Sequence, residues 1–266
     1  MSCKLLYQEI NSSKTMLELI VYLTTMSQQH SPKIITSGLI FYFDAGNIAS
    51  YGGSGSTLRD LSGNGWHGTL RGSPTFTSAG SQSYFTLNGS TQYITTANTT
   101  VYGTSCTASI WAYTNSSQVQ SQPMLISKNS ANAITMSDFP FRIGVTTLGN
   151  VYTGVDTGAD FVGLSTTAAA HNSSNKWAHY VATFSQTALR MYVNGSLVAS
   201  TTYSTTTVPS NVQPWTIGRA AQEVGLSAGG LTYFTGRLSM ASLYNATLTG
   251  AQVLQNFNAT RGRYGI

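Results

Sequence analysis

From Gly38 onward the chain consists of short runs of β-branched and aromatic residues, which Gly, Asn and Ser interrupt. Such runs favour strands and the interrupting residues favour turns. The predicted strands are 39–44, 83–87, 91–95, 107–113, 123–127, 140–145, 150–155, 177–184, 188–193, 197–202, 214–218 and 234–244. Because no helical segments alternate with them, they indicate an all-β sandwich of antiparallel sheets rather than a parallel α/β fold.

One hairpin is specified by its turn. Leu189, Met191 and Val193 alternate with more polar residues, and Asn194-Gly195 follows directly. Asn-Gly favours a type I′ turn because both central residues need a positive φ. We therefore expect a strand on each side of this pair.

One helix is predicted near the C-terminus, at residues 250–258. Thr249 can cap its first turn, and Gln252 follows three residues later as the second half of a capping box. Val253 and Phe257 then lie on one face at helical spacing. The chain should therefore end in a short helix that packs against the sandwich.

The N-terminal segment differs from the rest. Apolar residues between positions 4 and 26 have helix-like spacing, and the following residues are polar. We expect residues 1–37 to form an arm and linker, helical or disordered, and residues 38–266 to form the sandwich. The most apolar run, 16–23, is shorter than the ~20 residues that span a bilayer, so membrane insertion is not expected.

Charged residues are scarce. They make up 8% of the 266 residues, against about 25% in typical soluble domains. The 13 Lys and Arg exceed the 8 Asp and Glu, for a net charge of +5, but they form no cluster. Because nucleic-acid binding relies on many phosphate contacts, no nucleic-acid partner is expected.

Carboxylates that could catalyse hydrolysis are few. Glycoside hydrolases place two of them on either side of the scissile bond. The acidic residues after position 37 are Asp44, Asp60, Asp138, Asp156, Asp160 and Glu223. They are scattered, and no E-x-D-x-x-E pattern occurs, so the sequence indicates that the protein is not an enzyme.

The segment that begins at Asp60 resembles the first half of an EF-hand calcium loop. The bidentate Glu that such a loop needs at its twelfth position is replaced by Arg71. We therefore interpret Asp60 as a turn residue whose carboxylate accepts hydrogen bonds from loop amides.

Several segments, in order, resemble one family: the laminin G-like, concanavalin A-like lectin/glucanase sandwiches, especially those of phage and large-virus structural proteins. The segments are GLIFYFDAGN (38–47), LRDLSGNGWHGTL (58–70), YFTLNGSTQYITT (84–96), TASIWAY (107–113), WAHYVATFSQTALRMYVNGSLVAS (177–200), WTIGR (215–219) and the closing residues 234–266. The resemblance covers residues 38–266. It implies a concanavalin A-like jelly roll of two antiparallel sheets with about 12–14 strands.

Members of this family often carry a structural calcium, and the resemblance implies one ligand at Asp44, the end of the first strand. A second acid usually lies in the closing strand, where this sequence has Ser239 instead. Calcium favours several carboxylate oxygens, so this replacement counts against the ion. Calcium at Asp44 is the one cofactor that the resemblance suggests.

Two functions fit these observations. The first is a non-enzymatic virion structural protein, a capsid decoration or fibre-type module at the virion surface. Its partners would be other capsid proteins and further copies of itself. The alternative is a carbohydrate-binding adhesin or lectin that recognises host surface glycans.

The tryptophans divide between these roles. Trp111 and Trp177 lie in predicted strands, which indicates the core. Trp66 and Trp215 lie nearer loops and are the candidates for stacking on sugar rings. The sequence does not place these two residues in a shared pocket.

Overall fold

The computed structural model of the chain describes residues 32–97, 104–115, 118, 122–128, 140–147, 149–157, 160–166, 175–204, 213–220 and 232–266. Residues 1–31 of the predicted arm lie outside this set. The described end of the arm meets the C-terminal helix: the Ile35 N–H donates to Asn256 Oδ1 at 2.7 Å, and Gln255 Nε2 donates to the Lys33 carbonyl at 2.8 Å.

The described elements are almost all strands. They are β1 (Leu39–Asp44), β2 (Thr57–Leu58), β3 (Gly68–Arg71), β4 (Thr75–Thr77), β5 (Tyr84–Asn88), β6 (Tyr93–Thr96), β7 (Cys106–Thr114), β8 (Met124–Lys128), β9 (Phe141–Val145), β10 (Val151–Asp156), β11 (Phe161–Ser165), β12 (Lys176–Phe184), β13 (Ala188–Val193), β14 (Ser196–Thr202), β15 (Trp215–Ile217), β16 (Thr235–Tyr244), the helix α1 (Gly250–Thr260) and the 3₁₀ turn η1 (Arg261–Tyr264). Each predicted strand is present, and β2, β3, β4 and β11 are additional. Among the described residues, no helix has the length and apolar character to cross a membrane.

The strands form two antiparallel eight-stranded sheets within the described residues. Sheet A has the order β14-β13-β12-β7-β16-β5-β4, and β1 also pairs with β16. Sheet B has the order β11-β10-β9-β8-β15-β6-β3-β2. The predicted sandwich of two antiparallel sheets with a C-terminal helix is confirmed.

Side chains alternate between the two faces of each strand, and those on the inner face fill the space between the sheets. In β7, Ala108, Ile110 and Ala112 belong to the central core cluster, whereas Ser109 and Trp111 lie on the opposite face. The largest fully buried side chains of the central cluster include Phe41, Phe43, Phe85, Phe141 and Trp215. Burying one such side chain stabilises the fold by about 1.5–3 kcal/mol.

The predicted hairpin turn and the predicted helix cap are confirmed. Asn194 and Gly195 have φ values of 51° and 78°, and they connect β13 to β14 as a type I′ turn requires. At α1 the Gln252 N–H donates to Thr249 Oγ1, and the Thr249 N–H donates back to Gln252 Oε1. The helix runs two residues beyond its predicted end.

The helix and η1 cover part of the outer face of sheet A. Trp111 lies beneath them, its ring centroid 4.0 Å from Tyr264 and 5.9 Å from Phe257. Its Nε1 donates to Thr260 Oγ1 at 2.9 Å. Trp111 is therefore buried, as expected, but between sheet and helix rather than between the sheets. The Tyr264 ring also lies 4.9 Å from that of Trp177, and beyond it this outer face carries the half-buried side chains of Tyr84, Tyr113 and Arg237.

Candidate functional site

The buried carboxylate of Asp44 closes β1 and is 1% exposed. Arg263 Nη1 lies 2.6 Å from Oδ2, the Tyr42 hydroxyl donates to the same oxygen at 3.3 Å, and the Gly46 N–H donates to Oδ1 at 2.9 Å. Burial raises the pKa of Tyr42, and the neighbouring carboxylate raises it further, so this hydroxyl keeps its proton. Both oxygens of Asp44 thus have donors, and Arg263 balances its charge.

This arrangement does not fit a calcium ion. Calcium takes about 6–8 oxygen ligands, whereas here a guanidinium lies against Asp44. Ser239, at the position of the expected second acid, is the bulge residue of β16; its Oγ donates to the Ser83 carbonyl at 2.7 Å. The described ranges hold no group of three Asp, Glu, His or Cys residues suited to a metal. Arg263 supplies the positive charge where the resemblance implied a metal.

The Asp60 loop is a hydrogen-bonded turn. The N–H groups of Tyr42 and Ser62 each donate to Asp60 Oδ1 at 2.9 Å. The Ser62 hydroxyl and the Trp66 N–H donate to Oδ2 at 2.8 and 3.1 Å. This confirms that Asp60 bonds loop amides, and it leaves the carboxylate engaged within the protein.

The two tryptophans proposed for sugar stacking lie in different environments. Trp215 is 0% exposed and packs in the inter-sheet core, 6.0 Å from the ring of Phe141. It cannot reach a sugar, and the prediction for Trp215 is wrong, because β15 lies between β8 and β6 in the middle of sheet B. Trp66 is half-buried against the core, and its role in stacking stays a prediction.

A serine–histidine pair lies beneath α1. Ser109 Oγ and His179 Nε2 are 2.7 Å apart, and the imidazole stacks on Trp111 at 5.1 Å. Burial lowers the pKa of His179 to about 3, so the ring is neutral at physiological pH. The adjoining cavity of about 10 Å³ has room for no substrate. The pair therefore contributes to packing rather than to nucleophilic catalysis.

The outer face of sheet A carries an aromatic cluster, which we call the aromatic platform: the half-buried Tyr84, Tyr113 and Arg237, and the buried Trp177, which is 9% exposed. The Trp177 ring lies 5.8 Å from Tyr84 and 5.9 Å from Tyr113. The Arg237 guanidinium lies 4.9 and 4.7 Å from the same two tyrosine rings. These four side chains thus form one contiguous surface.

Strand register explains why the platform assembles. Arg237 on β16 lies opposite Tyr113 on β7, which in turn lies opposite Trp177 on β12. Tyr84 projects from β5 on the far side of β16, where Phe85 and Leu87 point inward. Tyr84, Tyr113 and Arg237 are half-buried, so part of each side chain reaches solvent.

Sequence reasoning missed this platform. Trp177 is 9% exposed and lies in a buried cluster with Trp111, so its prediction as a core residue is confirmed, whereas the sequence does not single out Tyr84, Tyr113 and Arg237. A signal was present: aromatic residues occupy the outward positions of strands whose inward positions are already apolar. The sequence alone could not show that those positions share a face, because the platform draws on four strands.

A similar but smaller cluster lies on the outer face of sheet B. Arg219 lies 4.3 Å from the ring of Tyr93 and 5.4 Å from that of Tyr233. Its Nη1 also donates to the Tyr233 hydroxyl at 3.2 Å. Tyr233 is buried and Tyr93 is half-buried, so this cluster has one half-buried aromatic ring where the platform has two.

The fold is shared with solved toxin binding domains at low sequence identity. The binding domain of Paraclostridial Mosquitocidal Protein 1 is 18% identical with a TM-score of 0.61, over 84% of this chain and 52% of that one. The botulinum neurotoxin serotype G binding domain is 17% identical with a TM-score of 0.61, over 82% and 50%. The receptor binding domain of a botulinum neurotoxin C/D mosaic serotype is 14% identical with a TM-score of 0.60, over 84% and 51%. This chain therefore spans about half the length of those chains.

The sequence comparison is more specific. Among curated proteins no match is found. A family model described as the concanavalin A-like lectin/glucanases superfamily matches residues 88–254, more than half of the chain. Its match falls on the strands that build both sheets and the start of α1. The chain belongs to the concanavalin A-like lectin/glucanase superfamily, in its laminin G-type branch.

Proposed function

We propose that this protein is a non-enzymatic binding module that recognises carbohydrate through the aromatic platform. The observation that carries the proposal is the pair of half-buried rings of Tyr84 and Tyr113, which contact the Arg237 guanidinium and pack on the buried ring of Trp177. Aromatic rings pack against the apolar faces of sugar rings. Guanidinium and phenol groups can then hydrogen-bond the sugar hydroxyls.

The chemistry of the described residues supports binding rather than hydrolysis. The carboxylates of Asp44 and Asp60 are both engaged in hydrogen bonds within the protein. The Ser109–His179 pair is buried without space for a substrate. Asp138 and Glu223 lie outside the described residues.

The lectin-type family and the similarity to receptor-binding domains support the same proposal. Those structures are described as binding domains of toxins, and one as a receptor binding domain. At the present identities they support only the use of this sandwich for recognition. An extracellular or particle-surface location accords with this role.

A glycan array tests the proposal. Purified full-length protein is screened beside the double variant Tyr84→Ala/Tyr113→Ala, with calcium and with a chelator. We expect selective binding by the wild type, its loss in the variant, and no difference between calcium and chelator. The matched control is Tyr93→Ala, which removes a half-buried tyrosine from the corresponding cluster on sheet B and should keep binding.

Two outcomes would reject the carbohydrate proposal. One is an array with no selective binding by the wild type. The other is equal binding by the wild type and the platform variant, with both shown to be folded by circular dichroism. Binding lost only in Tyr93→Ala would move the site to sheet B.

A virion structural role is the second candidate. The 8% content of charged residues favours it, since a surface rich in hydroxyl and amide groups suits a passive exposed shell. In this role the protein joins other capsid proteins and copies of itself. Peptide mass spectrometry of particles purified from the source, with light scattering for the oligomeric state, tests it; absence from the particles rejects it.

A further inference from the structure

Arg142 is a buried cation that forms no ion pair among the described residues. It lies on β9, and its side chain is on the outer face of sheet B, because its neighbours Phe141 and Ile143 belong to the core. The residue is 6% exposed, and its Nε and Nη1 have no hydrogen-bond partner. An uncompensated buried charge is strongly unfavourable, so this position calls for an anion.

The surroundings of Arg142 are shaped by glycines. Gly154 lies opposite Arg142 on β10, and a Cβ there would lie 2.0 Å from the ring of Phe161. Gly144 lies two residues along β9, and a Cβ there would lie 2.3 Å from the ring of Tyr152. Glycine inside a strand weakens it, and here it allows two rings to lie against the sheet backbone beside the guanidinium.

Phe161 holds the guanidinium in place. Its ring centroid lies 4.2 Å from Arg142 Cζ, a cation–π contact that restrains the side chain without using its N–H groups. Burial lowers the pKa of Arg142 to about 10, so the group is still a cation at neutral pH. A fixed guanidinium with free donors is suited to a carboxylate or sulfate.

The rest of this face adds neutral hydroxyls. Arg142 lies in a row of directly paired residues that crosses neighbouring strands of sheet B. On the side away from Gly154, the members of this row are Thr57, Thr69, Thr95, Thr216 and Ser127. Arg71 and Arg219 are further cations of this face. Thr216 and Ser127, the two hydroxyl residues nearest Arg142 in this row, are buried and donate to the Arg219 carbonyl.

We propose that Arg142 is the charged group of an oxyanion-binding site on sheet B, separate from the aromatic platform. Its ligand is a carboxylate or sulfate group. This group belongs either to an acidic glycan or to a free inorganic anion. The site is thus a second binding function, on the opposite face of the sandwich from the platform.

Calorimetric titration of the full chain tests this site. The probes are sodium sulfate, sodium glucuronate and, as the neutral analogue, glucose, all at one ionic strength. We expect wild type to bind the two anions and not glucose, and Arg142→Met to weaken anion binding by at least about tenfold. Arg190→Met is the matched control, since it removes a half-buried cation from a strand of sheet A, away from Arg142, and it should bind as wild type does.

The outcomes separate the two ligand sources. Tighter binding of glucuronate supports an acidic glycan, and binding of sulfate alone supports a free oxyanion. Equal affinity in wild type and Arg142→Met, or binding of neither anion by wild type, overturns the proposal. If Arg142→Met lacks a cooperative unfolding transition, Arg142→Lys replaces it. That variant keeps the charge but loses the planar donors, and unchanged affinity in it also overturns the proposal.

Discussion

Two buried charged side chains of this sandwich, Asp44 and Arg142, differ in their hydrogen-bond and ion-pair partners. At the end of β1, Asp44 has donors on both oxygens and the Arg263 guanidinium 2.6 Å away. In the middle of sheet B, Arg142 is equally buried but has neither an acid nor a hydrogen-bond partner at two of its nitrogens. The first site is complete within the described chain, and the second is not.

The difference separates a structural charge from a functional one. The pair of Asp44 and Arg263 ties the C-terminal turn η1 to the first strand, and every atom of the carboxylate is used. At Arg142 the fold instead places glycines and aromatic rings around a guanidinium whose Nε and Nη1 are buried without a hydrogen-bond partner. Burying an unpaired charge is costly, so the charge of Arg142 does not serve packing alone. We infer that it binds a ligand.

Breaking the complete site should have the largest effect. Arg263→Met leaves the Asp44 carboxylate buried without its counter-charge. Breaking a fully buried pair costs about 3–5 kcal/mol, and because the Arg263 side chain is 31% exposed we expect a loss of about 2–3 kcal/mol in the free energy of unfolding. Urea unfolding measures it.

The control for this loss is Arg261→Met, which removes the other basic side chain of η1. Arg261 contacts only the ring of Phe257, at 5.8 Å, so the expected cost is below about 1 kcal/mol. The double variant Asp44→Asn/Arg263→Met should recover part of the loss, because no unpaired carboxylate remains. A loss in Arg263→Met no greater than in Arg261→Met would show that the pair is not structural.

A third buried group, the imidazole of His179, is uncharged at neutral pH. Its pKa falls from 6.5 to about 3 through burial, so between these values the unfolded chain binds one proton that the native chain does not. The free energy of unfolding should therefore fall by up to about 1.36 kcal/mol for each pH unit below 6.5, a total of about 2 kcal/mol by pH 5.

Unfolding of wild type and His179→Asn, measured from pH 7 to pH 4, checks this dependence. The carboxylates contribute equally to both proteins, so the difference between the two curves isolates the histidine. His67→Gln, which alters an exposed histidine, should retain the wild-type slope. Parallel curves for wild type and His179→Asn would contradict the assignment.

Local signals in the sequence predicted local structure well. The Asn194-Gly195 turn and the capping box of Thr249 and Gln252 act within a few residues, so the chain itself specifies the hairpin and the helix. The unexpected strands β2, β3 and β4 are two to four residues long, and β11 contains a glycine. Their short or interrupted runs have no strand signal of their own, and pairing with neighbours defines them.

The candidate sites were beyond sequence reasoning because their members meet over long distances. Arg263 reaches Asp44 across 219 residues of sequence. In FRIGV, Arg142 looks like any solvent-facing arginine of an alternating strand, and its burial depends on side chains from β10 and β11. Trp215 was also beyond sequence reasoning. It lies next to a predicted loop in the sequence, which suggested an exposed ring, but it lies in the centre of sheet B.

Replacing the unpaired charge should raise stability slightly. Arg142→Met keeps a long side chain against Phe161 and removes the buried cation, so in buffer without sulfate or carboxylates the free energy of unfolding should rise by about 1 kcal/mol. Urea unfolding with and without sodium sulfate measures it, and sulfate should reverse the order of wild type and variant. Destabilisation of Arg142→Met without any anion would show that Arg142 is a packing residue.

The smallest expected effect comes from calcium. If Arg263 takes the place of the metal, neither calcium nor a chelator should change wild-type unfolding, within about 0.5 kcal/mol. The sharper version uses Arg263→Met, which frees Oδ2 of Asp44 but supplies no second acid, because Ser239 donates its hydroxyl to Ser83. Calcium should therefore fail to rescue this variant. Rescue would mean that the backbone and hydroxyl oxygens around Asp44 suffice for the ion, and that the arginine and the metal are alternatives at one site.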